Sequence, residues 1–249
     1  MHALRQRVIT KKLFSTARDS APVVVSFSRT PIGNFNGGLS SLSATQLGSL
    51  VIKSALEKAS LGTDAIEEIY MGNVVSSGLG QAPATQASIG AGLSKHIPST
   101  TINKVCASGM KSVMLASMSI SSGYRSICLA GGMESMSNIP YYLPNARQGY
   151  RLGNQTVVDG LIHDGLWDPY SNSHMGNCGD LCATQYSFDR ADLDEYAILS
   201  NLRATEAWTN GKFTDEVIPV SVTVKGKTTV VSQDEGIASF EPDKMVKLK

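Results

Sequence analysis

The chain has 249 residues, 42% of them hydrophobic and 17% charged, and a formal net charge of +1. A chain of that size and make-up buries a substantial core in one large domain or two, which excludes a disordered polymer. The near-neutral balance gives no electrostatic case for nucleic acid, and no apolar run reaches the length of a membrane-spanning helix.

Residues 1–19 read as a targeting segment. Arg5, Arg7, Lys11, Lys12 and Arg18 all precede the first acid, Asp19, and Ser15 and Thr16 add hydroxyls. A basic, acid-poor start fits a mitochondrial presequence, with a disordered basic tail as the alternative. The apolar run Val23–Phe27 predicts a first core strand covered on both faces. Pro31 and Gly33 then turn the chain. Ser43 is placed to cap a helix running to about Ala59, with Leu47, Leu50, Val51 and Leu56 on one side and Gly62 at its end. A strand is expected around Ile69–Met71. Gly78, Gly80 and Pro83 form a loop ahead of a helix near 85–92. That loop lacks the glycine and lysine spacing of a phosphate-binding loop.

Thr100–Ile102 favours a strand, and 107–121 a helix with Met110, Met114 and Met118 at every fourth position. Cys106 falls between them. A cysteine in front of a helix meets unpaired N–H groups and the positive end of the helix dipole, which favour a thiolate nucleophile for acyl transfer. A buried cysteine packing as a small hydrophobe is the alternative. Gly109 permits close backbone approach. The small residues of this helix, and its lack of charge after Lys111, predict enclosure on most sides. Ile127–Ala130 reads as the next strand, with Cys128 packed inside it and Gly131 and Gly132 following.

After Asn138 the apolar runs shorten and Tyr, Pro, Gly and Asp become frequent, so a boundary is placed there. A helix is predicted over 192–210. A β-rich stretch follows from Val217 to Val231, turning at Lys225–Gly226. Cys178 and Cys182 stand one helical turn apart near His174, but match no zinc spacing, so helix packing is expected instead. The irregular spacing of the four cysteines favours reduced thiols. His96 and His163 belong to no catalytic pattern.

The stretches NKVCASGMK (103–111), LAGGMESMSN (129–138), SRTPIGNFNGGL (28–39), YMGNVVSSGLGQAP (70–83), HMGNC (174–178) and GKFTDEVIPV (211–220) resemble the thiolase family. Within it they resemble the acetoacetyl-CoA branch more than the degradative enzymes with QCSSG. The resemblance covers about Val23 to Lys249. It implies an α/β thiolase-like fold: an N-terminal mixed-sheet βαβ half over 20–138, and an α+β loop domain on the coenzyme A side over 139–249. It also implies reversible cleavage of acetoacetyl-CoA, or condensation of two acetyl-CoA, through an acetyl thioester on Cys106. Met175 would line the acyl cavity and His174 would lie near the pantetheine arm. No metal or resident cofactor is implied, since coenzyme A is a substrate and product.

The resemblance further implies a homo-oligomer, a tetramer in the family, in the mitochondrial matrix, with no nucleic acid or membrane partner. Two departures stand out. Pro83–Ala87 reads PATQA where many relatives carry a central Arg, and Asn201 stands where potassium-responsive relatives carry Tyr. The family's second half, with its NEAF, GHP and CxGGG motifs, does not occur in the sequence. A chain lacking it is expected to expose apolar surface and strand edges, and to be poorly soluble. Two other readings remain: a catalytically incomplete fragment that binds acyl-CoA or assembles with a partner, and a longer-chain 3-ketoacyl-CoA thiolase.

Overall fold

A computed structural model describes residues 21–245 and 247. The expected targeting segment lies outside them. The described chain separates into two compact units. The first comprises the chain up to Phe27, Gly48–Asn73 and Gln81–Met133. The second comprises Ser28–Leu47, Val74–Gly80 and Glu134–Lys249. The second unit thus draws in two early segments that the composition change near Asn138 gave no hint of.

The first unit is built on a three-stranded parallel sheet. Its strands are β1 (Glu68–Gly72), β2 (Ser99–Ile102) and β3 (Cys128–Gly132), in the order β2-β1-β3. Helix α1 (Ala44–Ala59) precedes β1, α2 (Pro83–Gly90) connects β1 to β2, and α3 (Ser108–Ser121) connects β2 to β3. Parallel neighbours require such crossovers. The central strand is buried almost throughout, with Ile69 and Met71 wholly inside. Ile52 and Leu56 of α1 and Ala84 and Ala87 of α2 are also buried.

Helix α1 starts as its sequence predicts. Ser43 Oγ accepts from the Gln46 N–H at 3.2 Å, and Gln46 Oε1 accepts from the Ser43 N–H at 2.8 Å, a reciprocal capping box. Its buried side differs, with Ile52 inside and Leu50 exposed. Its end differs too. Ser60, at φ +54°, supplies the left-handed turn, and the Leu61 N–H closes back on Leu56 O at 3.1 Å. Gly62 instead precedes a 3-10 turn over Thr63–Ala65.

Val23–Phe27 belongs to no strand. Val23 and Val24 are each 76% exposed and Phe27 is 58% exposed, so the expected doubly covered strand is not formed. Side chains tie the run to α1: Ser26 Oγ donates to Ala55 O at 2.8 Å and Lys58 Nζ to Phe27 O at 3.4 Å. An apolar run becomes a core strand only when a neighbour pairs with it and something lies on its faces.

The second unit holds three short antiparallel strand pairs among its described residues, and helices of its own, in place of a single sheet. Strands β4 (Tyr141–Tyr142) and β5 (Val158–Asp159) pair, as do β6 (Trp167–Asp168) and β7 (Ser173–His174). Helices α4 (Met175–Tyr186) and α5 (Arg190–Thr209) follow. The ribbon β8 (Val220–Val224) and β9 (Lys227–Val231) turns at Lys225 and Gly226, whose φ values of +49° and +79° are those of a tight hairpin turn. Short helices α6 (Glu235–Ala238) and α7 (Pro242–Met245) complete it. The expected mixture of strand directions is therefore distributed: the main sheet is parallel, and the antiparallel pairs stand apart.

Candidate active site

Cys106 sits where the parallel sheet hands the chain to α3. Strand β2 ends at Ile102 and α3 begins at Ser108, with Cys106 in the intervening turn, two residues ahead of the helix. Its side chain belongs to an exposed residue, so the buried alternative fails and a soluble substrate can reach the sulfur. The start of α3 has no side-chain cap and no acid in its first turn. Its N-terminal dipole is therefore not offset locally by a carboxylate.

Close packing places this turn against the sheet. A Cβ added to Gly72 at the end of β1 would lie 2.6 Å from the Ser108 carbonyl carbon and 2.7 Å from the Gly109 nitrogen. A Cβ added to Gly132 at the end of β3 would lie 3.3 Å from the Gly109 Cα. Gly72 and Gly132 are register partners in adjacent strands. Three glycines thus let the first turn of α3 rest directly on the carboxyl ends of two parallel strands. In open α/β sheets that is where ligands bind.

The turn is held in an uncommon shape. Val105 has φ +50°, in the left-handed region that a β-branched residue seldom enters. Its N–H donates to Asn103 Oδ1 at 3.0 Å, and its carbonyl accepts from Ser108 Oγ at 2.6 Å and from the Ser108 N–H at 3.0 Å. Nothing in the residue types announces this backbone, because left-handed turns are read from Gly or Asn, and Val is neither.

The other two expected site residues lie in the second unit. His174 ends β7 and is the N-cap of α4, where its Nδ1 accepts from the Gly176 N–H at 3.0 Å. That bond uses Nδ1 as an acceptor and leaves Nε2 as the ring's donor. Met175 is the first residue of α4 and is 43% exposed. His174 and Met175 are thus brought together on one hairpin and helix start, whereas Cys106 is positioned by the separate sheet unit.

The same unit carries a polar cluster the sequence did not reveal. The Tyr142 hydroxyl lies 2.7 Å from Ser77 Oγ and is bonded to the Asp164 carboxylate, which also meets His163 Nδ1 at 2.6 Å. Burial pushes Asp164 upward, but the bonds from Tyr142 and His163 outweigh it and leave the carboxyl below its ordinary range. Asp164 lies in a single π-helical turn, Ile162–Leu166, that leads into β6.

The remaining cysteines divide. Burial raises the Cys128 thiol above its ordinary value, in keeping with the packing role expected of it. Cys178 and Cys182 are both exposed on α4, so neither fills a core as expected. Among the described residues no group of three or more His, Cys, Asp or Glu is arranged to hold a metal ion.

Comparison with known proteins gives one family. The model described as Thiolase, N-terminal domain, matches residues 22–249. Acetyl-CoA acetyltransferase 1 of Arabidopsis thaliana is 53% identical over 228 residues, covering 91% of this chain and 55% of its own length. Acetyl-CoA acetyltransferase A, mitochondrial, of Xenopus laevis is 46% identical over 250 residues, covering 100% of this chain and 59% of its own. The crystal structure of Acat5 thiolase from Ascaris suum in complex with coenzyme A superposes with a TM-score of 0.85 at 43% identity, over 90% of this chain and 57% of that one. The chain therefore spans somewhat more than half the length of the proteins it matches.

Proposed function

The chain belongs to the thiolase family of acyltransferases, and from that premise we propose that Cys106 carries an acetyl group between molecules of coenzyme A. The Cys106 thiolate attacks the thioester carbonyl of acetyl-CoA, the carbon–sulfur bond to coenzyme A breaks, and coenzyme A leaves as its thiolate. A base removes an α-proton from a second acetyl-CoA, and that proton ends on the departed coenzyme A thiolate. The carbanion attacks the Cys106 thioester carbonyl, the bond to Cys106 Sγ breaks, and acetoacetyl-CoA leaves with the thiolate restored. In the reverse direction the thiolate attacks the keto carbon of acetoacetyl-CoA, and the bond from that carbon to Cα breaks. The carbanion takes the proton of an incoming coenzyme A thiol and departs as acetyl-CoA, and the coenzyme A thiolate then removes the acetyl group from Cys106 as a second acetyl-CoA. Coenzyme A enters only as substrate and product, and the scheme needs no resident cofactor or metal.

The observation that carries this reading is the placement of an exposed thiol ahead of an uncapped helix start, on the carboxyl ends of parallel strands. N–H groups there are suited to meet an oxyanion formed at the attacked carbonyl. His174 and Met175 are assigned to the acyl-CoA, His174 through its Nε2 donor and Met175 through its thioether and methylene surface. The mitochondrial matrix is the proposed location, in keeping with the basic first 19 residues and the name of the Xenopus relative. A homo-oligomer, a tetramer by family resemblance, is the proposed working form.

Peptide mass spectrometry after incubation with acetoacetyl-CoA tests the reading. One acetyl group is expected on the peptide holding Cys106, and none after Cys106→Ser. A folded protein that leaves Cys106 unmodified overturns the assignment. A second reading, acyl-CoA binding without turnover, is favoured by the bare apolar face of α3, where Met110, Met114 and Met118 are 50–69% exposed. It predicts saturable acetyl-CoA binding with no acetoacetyl-CoA formed. A preference for longer acyl chains would appear as acyl transfer from a 3-ketohexanoyl substrate faster than from acetoacetyl-CoA.

A further inference from the structure

We propose that Ser108 is a positioning residue for Cys106, acting by pinning Val105 in its left-handed conformation. The inference rests on Cys106 being the reacting thiol. Val105 immediately precedes Cys106, so its φ and ψ set the direction in which the thiol leaves the turn. A β-branched residue at φ +50° is unfavourable and persists only where its surroundings hold it. Packing does not hold it, because Val105 is itself 53% exposed. Hydrogen bonds do. The carbonyl of Val105 accepts from both Ser108 Oγ, at 2.6 Å, and the Ser108 N–H, at 3.0 Å, and its N–H is taken by Asn103 Oδ1.

The Ser108 hydroxyl makes a second contact across the same turn. It accepts from the Lys104 N–H at 2.9 Å, so one side chain beyond Cys106 ties down both residues that precede it. The residue is 4% exposed, and its Cβ would lie 2.8 Å from a Cβ placed on Gly72. The side chain is therefore boxed against the end of β1. The sheet holds Ser108, Ser108 holds Val105, and Val105 aims Cys106.

This chain of dependence makes a prediction that plain stabilisation by Ser108 does not. Glycine enters the left-handed region without cost, so Val105→Gly removes the need for a clamp. The test is a double-mutant cycle of Ser108→Ala and Val105→Gly in the full chain. The readout is the rate at which iodoacetamide alkylates Cys106, followed by peptide mass spectrometry. Exposed Cys178 and Cys182 serve as internal references, and half-buried Cys128 reports whether the sheet stays folded.

Ser108→Ala alone is expected to slow Cys106 roughly fivefold, within the range shown by residues sharing one hydrogen-bond network. Val105→Gly alone is expected to stay within about twofold of the parent, and Ser108→Ala added to it to cost less than about twofold. The same loss in both backgrounds overturns the proposal. Should Ser108→Ala unmask Cys128 and so unfold the unit, Asn103→Ala takes its place in the cycle, because it frees the Val105 N–H, and the same two outcomes decide. Since alkylation needs no coenzyme A, absence of acetylation in the parent refutes the enzymatic reading separately from the clamp.

Discussion

The two units are held together by different physics. In the first, the strands and helices close on apolar side chains and on glycines that let backbones touch: Ile52, Ile69, Met71 and Ala84 are inside, and Gly72 meets α3 directly. In the second, a small apolar cluster of Leu39, Leu47, Val220 and Val222 is buried, with Pro31, Ala44 and Val75 also inside. Charged side chains do much of the remaining work. Asp234 accepts from Arg29 at 2.8 Å, from the Ile32 N–H at 2.7 Å and from Trp208 Nε1 at 3.1 Å. Arg29 also reaches Glu216 at 2.6 Å and lies over the Phe213 ring at 5.1 Å. Glu235 accepts from the N–H groups of Asn34 and Gly38. The difference teaches that the nucleophile is carried by the unit organised through close packing, whereas His174 and Met175 are carried by the unit organised through polar anchors.

The sharpest way to test that contrast is to disturb each kind of contact in turn. Gly72→Ala places a methyl 2.6 Å from the backbone of Ser108, which has no flexible atom to yield. A loss of about 3 kcal/mol is expected in urea denaturation, at the upper end for overpacking, together with faster alkylation of Cys128. An unchanged midpoint would mean that the turn before α3 does not rest on β1 in solution.

The matching disturbance in the second unit is Asp234→Ala. It leaves the Ile32 N–H and the Trp208 N–H without that acceptor and Arg29 with Glu216 as its carboxylate partner, and should cost about 2 kcal/mol. Both tryptophans of the chain, Trp167 and Trp208, belong to this unit, so their fluorescence reports it selectively. Acid should act on the same point. Burial pushes Asp234 upward, but the bonds from Arg29, Ile32 and Trp208 outweigh it, and its carboxyl lies below the ordinary 3.8. A carboxyl lowered on folding contributes stability that is complete above the unfolded value and disappears as pH falls through the folded one. The tryptophan transition should therefore begin below about pH 4, and Asp234→Asn should flatten that dependence. A pH profile identical in the two proteins would remove Asp234 from the account.

A smaller effect concerns the join between sequence and structure. Ser43→Ala removes the cap of α1 and should lower stability by about 1 kcal/mol, read from the thermal midpoint. That cap was legible because Ser just ahead of a helical apolar pattern is a common N-cap, while the reciprocal bond from Gln46 came only with the structure. So were β1, β2, β3, α3 and the Lys225–Gly226 turn, each signalled by residues close together in the chain. The Arg29–Asp234 anchor was not, since its partners are 205 residues apart and a charged residue looks the same in sequence whether solvated or bonded. Val105 was illegible for another reason, because its conformation is imposed by Asn103 and Ser108 against its own preference. Cys106, the reactive candidate, was legible from its neighbours, while the residues that hold it were not.

The least effect is expected where the sequence pattern and the burial point in opposite directions. Helix α3 turns Ser108, Ser112, Ala116 and Ser119 inward and leaves Met110, Val113, Met114 and Met118 outward. Its buried face is small and largely polar, and its exposed face is large and apolar, the reverse of an ordinary surface helix. Enclosure on most sides, as its composition predicts, is not realised on this face within the described residues. Met and Gln have nearly the same helix propensity, so Met114→Gln changes exposed apolar area and little else. Its stability should move by less than about 0.5 kcal/mol, as for a surface site, while self-association measured by light scattering should fall. A loss above about 1 kcal/mol would show that the methionines are covered in solution, because only a buried thioether is costly to replace with an amide.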